Sequence, residues 1–142
     1  GYKVVGVKAT LYDGSYHPVD SKEMAFKEAA RLAYNNAMPN AKPVLLEPID
    51  KVVVYAPEEY TGTIMGDITK RRGMIVDMQT TEDGEQEIVA EVPMAEILTY
   101  ANELRSMTQG RGKFTVSFER YQDAPKDVAD KVIAAAKEKK AA

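Results

Sequence analysis

Two polar stretches of this chain, residues 13–21 and 104–112, contain the side-chain types that could recognise or react with another molecule. Each lies where a strand pattern meets a helix pattern. The first contains His17, the only histidine in the chain, within a turn-forming sequence that offers nothing obvious to bury it. A polar loop of this kind favours contact with a partner molecule.

The side chains of a catalytic centre are missing from the sequence. The chain has no cysteine, which excludes a thiolate nucleophile, a disulfide and an iron–sulfur cluster. His17 has no predicted catalytic partner, and no GxxxxGK[ST] phosphate-binding loop occurs. Gly110 and Gly112 lack the third glycine of a dinucleotide-binding loop and lead into a strand pattern. We therefore predict that this chain is not itself an enzyme and holds no cofactor.

The spacing of His17, Asp20 and Glu23 would allow a metal site, but a helix cap explains the two carboxylates better. Asp20 and Glu23 have the spacing of a capping box, in which each side chain bonds the other residue's backbone N–H. The helix predicted to follow, residues 20–38, has an alanine-rich apolar stripe. We therefore predict no metal ligand here and a stiff helix of close to 30 Å, at about 1.5 Å per residue.

Composition and charge restrict the partners to be considered. The 142 residues are 44% hydrophobic and 29% charged, which predicts one folded domain or two very small ones. The net charge of −3 implies no overall attraction to a polyanion, so any nucleic-acid contact would use local basic patches. No apolar stretch approaches the roughly 20 residues of a membrane helix, and we expect no signal peptide. The first residue is Gly1 rather than Met, which favours a piece of a longer protein.

Residues 4–12 alternate between polar and apolar side chains, and one face carries Val5, Val7, Ala9 and Leu11. This period of two predicts a half-buried strand. The strand and the helix after it are too small to bury their own faces, so we interpret them as part of a neighbouring domain. The open edge of the strand would favour weak pairing with a second copy of the chain.

The pattern changes after a linker at residues 40–43. Periodicity over residues 44–121 predicts the order β-α-β-β-α-β, with strands at 44–55, 74–80, 87–92 and about 114–118, and helices opening at Pro57 and Pro93. Ile64 and Ile68 of the first helix have the spacing of a buried face, and the second helix has Leu98 on its apolar side. Asp83-Gly84 predicts a hairpin turn between the second and third strands. Pro48 predicts a kink in the first strand, and Gly62 and Gly66 predict close approach of a helix to the sheet. This order is typical of an α+β, ferredoxin-like sandwich, with two helices on one face of a four-stranded antiparallel sheet. Pro125 opens a final helix.

Residues 111–118 superficially match the RNA-stacking octamer of RRM domains. Lys113 and Thr115 occupy the places of the stacking aromatic residues, and the segment falls on the fourth strand rather than the third. We therefore reject RNA binding of that type. Three alternating apolar residues of this strand are more simply interpreted as core: Phe114, Val116 and Phe118.

With the histidine-containing loop at residues 13–21 and this element order, the chain resembles the C-terminal end of bacterial elongation factor G, the translocating GTPase of the ribosome. Residues 7–17, 19–21 and 23–26 resemble the tip loop and following helix of domain IV. Residues 42–49 resemble the junction with domain V, and three further segments resemble domain V itself: Gly66-Asp67, Arg71-Arg72-Gly73 and residues 104–112. The resemblance spans nearly the whole chain but only a minority of the family's full length.

The resemblance implies three parts: residues 1–42 as the C-terminal part of domain IV with its tip loop, 43–123 as the ferredoxin-like domain V, and 124–142 as a C-terminal helix and tail. The first would be a β-α remnant of a domain like domain 2 of ribosomal protein S5. The resemblance implies that the protein acts in the cytoplasm. Its implied function is to promote GTP-dependent translocation of tRNA and mRNA on the ribosome during elongation. The GTPase domain of the parent, with its GTP and Mg, would lie outside this chain.

The partners implied are ribosomal RNA, ribosomal proteins and the tRNA–mRNA duplex at the decoding site, with no membrane. The family's tip loop enters the decoding region, which assigns RNA binding to Gly14, Ser15, Tyr16, His17, Pro18 and Val19. Their rings can stack on bases, their hydroxyl and N–H groups can bond phosphate, and Gly14 would let the loop turn tightly. The family's domain V lies at the large-subunit factor-binding site, which makes candidate rRNA contacts of Arg71, Arg72, Arg105, Arg111 and Lys113. Helix-dipole compensation and solubility also explain these cations, and the sequence leaves both interpretations open.

The chain departs from the family pattern in two places. Pro18 stands where the family usually has an acidic residue, which stiffens the loop and removes a charge that would repel phosphate. Residues 35–39 also differ from the standard factor. These departures leave open a ribosome-recycling paralogue or a ribosomal protection protein. The residues alone also leave open a stand-alone ferredoxin-like module that binds a small effector or oligomerises through its sheet.

Overall fold

The structure, a computed structural model, describes residues 2–142, which form two compact units that meet in sequence between Pro43 and Val44. The first unit contains one α-helix, α1 (Glu23–Ala37), followed by a 3₁₀ turn at Met38–Ala41. No residue of α1 is buried. The linker predicted at residues 40–43 coincides with the end of this unit at Pro43. Lys42 there adopts a left-handed backbone with φ of 53°.

The strand predicted at residues 4–12 does not form. None of the strand pairs in residues 2–142 includes this segment, and Val5, Val7 and Leu11 are 58%, 54% and 93% exposed. The alternating pattern is present in the sequence, but a strand exists only through hydrogen bonds to a neighbouring strand. Pairing between two copies through this edge stays an untested prediction, and its premise of a preformed strand is wrong.

The predicted capping box is also wrong. Helix α1 begins at Glu23 with Lys22 as its N-cap residue, and no side chain caps it. Asp20 lies instead in a turn, where its N–H and that of Ser21 donate to the carbonyl oxygen of His17 at 3.1 and 2.8 Å. The helix has 15 residues, so its length is about 22 Å rather than 30 Å.

The second unit contains the remaining helices and strands in the order β1 (Leu46–Pro57), α2 (Thr61–Lys70), β2 (Met74–Thr80), β3 (Glu85–Pro93), α3 (Tyr100–Met107), β4 (Lys113–Asp123) and α4 (Lys126–Ala141). The sheet order is β2-β3-β1-β4, and every neighbouring pair is antiparallel. Strand β3 thus fills the gap between the two strands that α2 connects. The predicted ferredoxin-like fold is confirmed.

The core lies between the helices and one face of the sheet. Ile64 and Ile68 of α2 are buried, as their spacing predicted, and they join the buried side chains Val52, Val54, Ile88, Ala90, Val92 and Leu104. The next helix differs from its prediction: Pro93 ends β3, a 3₁₀ turn follows at Met94–Glu96, and α3 begins only at Tyr100. Leu98, predicted to lie on the apolar side of that helix, is therefore 80% exposed, and Tyr100 is buried in the core.

Strand β4 is an edge strand, which explains why its apolar side chains are not uniformly buried. Phe114 packs edge-on against Tyr100 with ring centroids 5.1 Å apart. Val116 and Phe118 are 43% and 55% exposed, contrary to the prediction that they are core. An edge strand has a neighbour on one side only, so its far side chains keep contact with solvent. Near Pro48 the register between β1 and β4 shifts between Ile49 and Asp50, which agrees with the predicted irregularity.

The final helix starts directly after Pro125, as predicted, and its side chains Val128, Ala129 and Val132 are half-buried. Among residues 2–142, no helix combines the length and the apolar character that crossing a bilayer requires.

Glycine 73, rather than Gly62 or Gly66, is the position where a missing side chain permits close packing. A Cβ atom there would lie 2.6 Å from Ile68 Cγ2 and 2.8 Å from the Ile68 carbonyl oxygen. Around Gly62 and Gly66 a Cβ atom would meet nothing within 4 Å, so the predicted close approach at these two residues is wrong.

We predict that Gly73→Ala lowers the free energy of unfolding by about 1–3 kcal/mol, because the new methyl group overlaps backbone and core atoms. The matched control, Gly66→Ala in the exposed part of α2, should raise it by about 0.5–1 kcal/mol, because alanine loses less entropy in a helix. Urea denaturation of both variants measures the difference. Equal stabilities would contradict this packing of the α2–β2 connection.

Candidate functional site

The loop that contains His17 is held by hydrogen bonds of its own residues. The backbone N–H of His17 donates to Ser21 Oγ at 2.7 Å, and the His17 carbonyl oxygen accepts from two N–H groups of the following turn. The Gly14 N–H donates to Asp13 Oδ1 at 2.8 Å. Ser21 thus closes a five-residue turn, residues 17–21, just before the N-cap residue of α1, and this turn holds the backbone of His17.

All six predicted tip-loop residues, Gly14 to Val19, are exposed. Within residues 2–142, no hydrogen bond or salt bridge involves the His17 imidazole. Tyr16 is 65% exposed, and its ring stacks on that of Phe26 in α1 with centroids 6.5 Å apart and planes at 14°. One aromatic ring of the loop is therefore tied to the helix, while the imidazole is free to contact another molecule.

The loop's chemistry suits an RNA surface better than a metal ion. An exposed imidazole and phenol can stack on bases or ribose, and free N–H groups can bond phosphate oxygens. No group of three metal-ligating side chains occurs among residues 2–142. Gly14 has an ordinary backbone angle and open space around it, so the tight turn lies at residues 18–20 rather than at this glycine.

Arg71, a predicted rRNA contact, is committed to the protein interior. Its guanidinium donates to Asp67 Oδ2 at 2.7 Å, to the Glu96 carbonyl oxygen at 2.6 Å and to Glu103. The side chain is only 10% exposed and lies over the ring of Tyr100, 5.1 Å from its centroid. Burial alone would lower the pKa of Arg71, but the hydrogen bonds and charges of the two carboxylates outweigh burial and raise it.

Arg72 is likewise engaged, with two nitrogens on the carboxylate of Glu47 at 2.9 and 3.1 Å and a third contact to Glu96 at 3.3 Å. Arg72 adopts a left-handed backbone with φ of 60°, which directs the chain out of α2. The hydrogen bond to Glu47 is the main reason that the pKa of Arg72 is raised. Binding a phosphate through Arg71 or Arg72 would leave partly buried carboxylates unpaired. The ion pairs therefore disfavour these two residues as rRNA contacts, and their role stays a prediction.

Three predicted cations remain available at the surface: Arg105, Arg111 and Lys113. Arg111 is 56% exposed and contacts Glu59 through one nitrogen at 2.6 Å. Its guanidinium carbon also lies 5.9 Å from the centroid of the Tyr60 ring. The turn between α3 and β4 thus carries Arg111 and is flanked by the other two cations, so these three candidates lie close together in sequence at one place on the second unit.

Sequence reasoning missed the carboxylates that occupy the arginines. Asp67 and Arg71 have the i,i+4 spacing of a helical ion pair, which could have been recognised. Glu47, Glu96 and Glu103 lie 24–32 residues from their partners and come together only through the fold. No local signal in the sequence identifies such pairs.

A cleft of about 230 Å³ lies at one end of the sheet in the second unit. Its charged lining residues include Glu47, Arg72, Glu91 and Arg120. These side chains form ion pairs with one another, Arg72 with Glu47 and Arg120 with Glu91. The cleft therefore presents balanced charge and gives no preference for a charged ligand.

Comparison with known proteins relates both units to one family. Residues 44–132 match the family profile described as "Elongation factor G C-terminus", and residues 1–42 match the profile described as "Elongation factor G, domain IV". The chain is also similar to a crystal structure of a protein from Thermus thermophilus, with 43% sequence identity and a TM-score of 0.74. That match covers 86% of this chain but only 18% of the Thermus chain.

We predict that Arg71→Met destabilises the second unit by about 3 kcal/mol or more, because it leaves Asp67 partly buried without its cation. As the control, Arg111→Met removes an exposed ion pair and should cost less than about 1 kcal/mol. Thermal unfolding followed by circular dichroism compares the two. A cost for Arg71→Met as small as the control would contradict the structural role of this side chain.

Stability should also fall in acid. The hydrogen bond from Arg120 lowers the pKa of Glu91, and those from Thr99 and Arg71 lower that of Glu103. A carboxyl whose folded pKa is depressed stabilises the protein above its unfolded pKa of about 4.3, and this contribution is lost as pH falls through the folded value. We therefore expect the urea midpoint to be level near pH 6 and to decrease below about pH 4.5. The double variant Glu91→Gln, Glu103→Gln should show a smaller decrease, and an equal decrease would contradict this assignment.

Proposed function

Because this chain belongs to the elongation factor G family, we propose that it is the ribosome-binding C-terminal portion of a factor that promotes GTP-dependent translocation of tRNA and mRNA. The chain spans 18% of the length of the Thermus chain it matches, so the activity proposed is that of a longer protein. The chain itself would be non-catalytic. GTP and Mg would bind in a GTPase domain outside residues 1–142.

The exposed imidazole of His17 carries the proposal. It belongs to a loop held by the hydrogen bond of His17 to Ser21, by two N–H groups that donate to the His17 carbonyl oxygen and by the Tyr16–Phe26 stack. A helix of about 22 Å follows the loop directly. Such a loop can enter a narrow RNA site, because its backbone is held at one end by the turn and its exposed side chains need no rearrangement to make contacts.

We propose that the loop enters the decoding region of the small ribosomal subunit and contacts the tRNA–mRNA duplex there. His17 would stack on a base or a ribose, and Ser15 and backbone N–H groups would bond phosphate oxygens. Pro18 contributes no negative charge, which favours the approach to phosphate. The loop would occupy the site that the tRNA leaves and so block its return.

The second unit would anchor this loop to the large subunit through ribosomal RNA. Arg105, Arg111 and Lys113 are the cations available for that contact, since the other arginine candidates are neutralised within the protein. Each phosphate that a cation neutralises releases counterions, so the binding should weaken as salt increases. The net charge of −3 makes this local patch, rather than the whole chain, responsible for the attraction.

The proline at position 18 also leaves room for a second candidate within the same family, a factor specialised for ribosome recycling or for protection of the ribosome. Removal of the usual acidic residue changes the loop's charge where it would contact RNA. The two candidates differ in which reaction depends on the loop: movement of tRNA and mRNA, or separation of subunits and release of a bound inhibitor.

The test is His17→Ala in the complete parent protein. We expect GTP hydrolysis to be unchanged and single-turnover translocation to slow by roughly 5- to 150-fold. This factor corresponds to the loss of about 1–3 kcal/mol from one stacking contact. Met24→Ala, at a 76% exposed residue of α1, is the control. The two variants should have the same melting temperature.

Equal translocation rates for His17→Ala and Met24→Ala would contradict the role of the loop. If subunit separation slows and translocation does not, the recycling candidate replaces the translocase. Failure of the parent protein to bind ribosomes would refute both.

A further inference from the structure

The turn between α3 and β4 is fastened by one buried hydroxyl group. Thr108 is fully buried, and its Oγ1 donates to the Leu104 carbonyl oxygen at 2.7 Å. Thr108 Oγ1 also accepts a hydrogen bond from the Gly112 N–H at 2.8 Å. The hydroxyl therefore joins the last turn of the helix to the residue directly before the strand.

Between these two points the backbone turns through two left-handed residues and is held by two hydrogen bonds. Gln109 and Gly110 both have left-handed backbone angles, with φ of 52° and 83°. The Gly110 N–H donates to the Arg105 carbonyl oxygen at 2.8 Å, and the Arg111 N–H donates to the Thr108 carbonyl oxygen at 3.0 Å. The backbone of Arg111 is thus fixed on one side by Thr108 itself and on the other side by Gly112.

Gly112 fits tightly against the same hydroxyl group. A Cβ atom there would lie 2.9 Å from Thr108 Oγ1, 3.0 Å from Thr108 Cγ2 and 3.1 Å from Leu104 Cγ. A side chain at position 112 would force either the Thr108 side chain or the strand to shift. The Thr108–Gly112 contact can therefore be broken from either residue.

The fixed turn places the Arg111 guanidinium on Glu59 and beside the Tyr60 ring. Only Nη1 makes a hydrogen bond, although a guanidinium has five N–H donors. The pair with Glu59 is exposed on both sides, at 56% and 61%, so it costs little to exchange for another anion. The carboxylate occupies a position that a phosphate oxygen could take.

We propose that Thr108 is a positioning residue, which fixes the backbone of Arg111 so that its guanidinium is preset to contact an RNA phosphate. The inference rests on the proposed function for its ligand, but the presetting itself is a property of the free protein. An arginine held in place before binding loses less entropy when the phosphate arrives, so the contact is stronger than that of a freely moving side chain. Glu59 keeps the guanidinium aligned until the exchange.

The alternative is that Thr108 only stabilises the helix end. The two roles differ in one respect: a stabilising residue changes the melting temperature alone, whereas a positioning residue acts on binding through Arg111 and loses its effect when Arg111 is removed. Thr69 supplies the matched control, because its Oγ1 donates to the Met65 carbonyl oxygen at 2.9 Å in the same i−4 geometry, at an exposed position in the last turn of α2.

The first measurement uses the free 142-residue chain. We expect Thr108→Val and Gly112→Ala to broaden or shift the NMR signal of the Arg111 Nε–H while the amide spectrum of the core persists. Thr108→Ser, which keeps the hydroxyl group, and Thr69→Val should leave the Arg111 signal unchanged. An unchanged Arg111 signal in Thr108→Val overturns the proposal, whatever the chain binds.

The second measurement is a double-mutant cycle of Thr108→Val and Arg111→Ala on binding to purified large ribosomal subunits at low salt. We expect each single variant to weaken binding by a factor of about 2 to 10, and the double variant to bind no more weakly than Arg111→Ala. Independent, multiplying effects overturn the proposal. This cycle uses the complete parent protein: if the unaltered parent fails to bind the subunits, the proposed function fails, and the NMR result alone decides whether Thr108 positions Arg111.

Discussion

The buried guanidinium of Arg71 is the interaction on which the arrangement of the second unit depends. It joins the end of α2, the connection before α3 and α3 itself, through Asp67, the Glu96 carbonyl oxygen and Glu103. The Tyr100 ring beneath it belongs to the core, and burial raises the pKa of its hydroxyl to about 12. A single charged group therefore connects α2 with α3 and with the segment before it, in addition to the apolar core that the two helices share.

This use of arginine changes how the basic residues of the second unit should be understood. Two of the five arginine and lysine candidates are held by carboxylates from distant parts of the chain, so their charge does not reach solvent as a free cation. The turn between α3 and β4 carries Arg111, whose only ionic partner is exposed. Surface charge available to a polyanion thus depends on the ion pairs of the folded state rather than on the number of cations in the sequence.

The sequence was sufficient for the order of elements in the second unit, because periodicity and turn residues are local signals. The Asp83–Gly84 turn, the Ile64–Ile68 spacing and Pro125 each act within a few residues. The sequence did not predict the conformation of residues 4–12, because an alternating segment becomes a strand only beside a partner strand. It also did not predict the exposure of Leu98, because Pro93 ends a strand instead of opening a helix. In the candidate site, the turn-forming residues around His17 predicted its exposure. The partners of Arg71 could not be predicted, because Glu96 and Glu103 come close to it only in the folded chain.

The absence of any buried residue in α1 has a thermodynamic consequence for the chain as a whole. A helix of this length gains little stability without tertiary packing, so the first unit should contribute almost nothing to a cooperative unfolding transition. The heat capacity increment would then correspond to roughly 100 residues, or about 1.2–1.5 kcal/mol/K, rather than to the full chain. The His17 loop thus belongs to a different unit from the residues that unfold cooperatively. A variant can therefore change the loop without changing the melting temperature, or change the melting temperature without changing the loop.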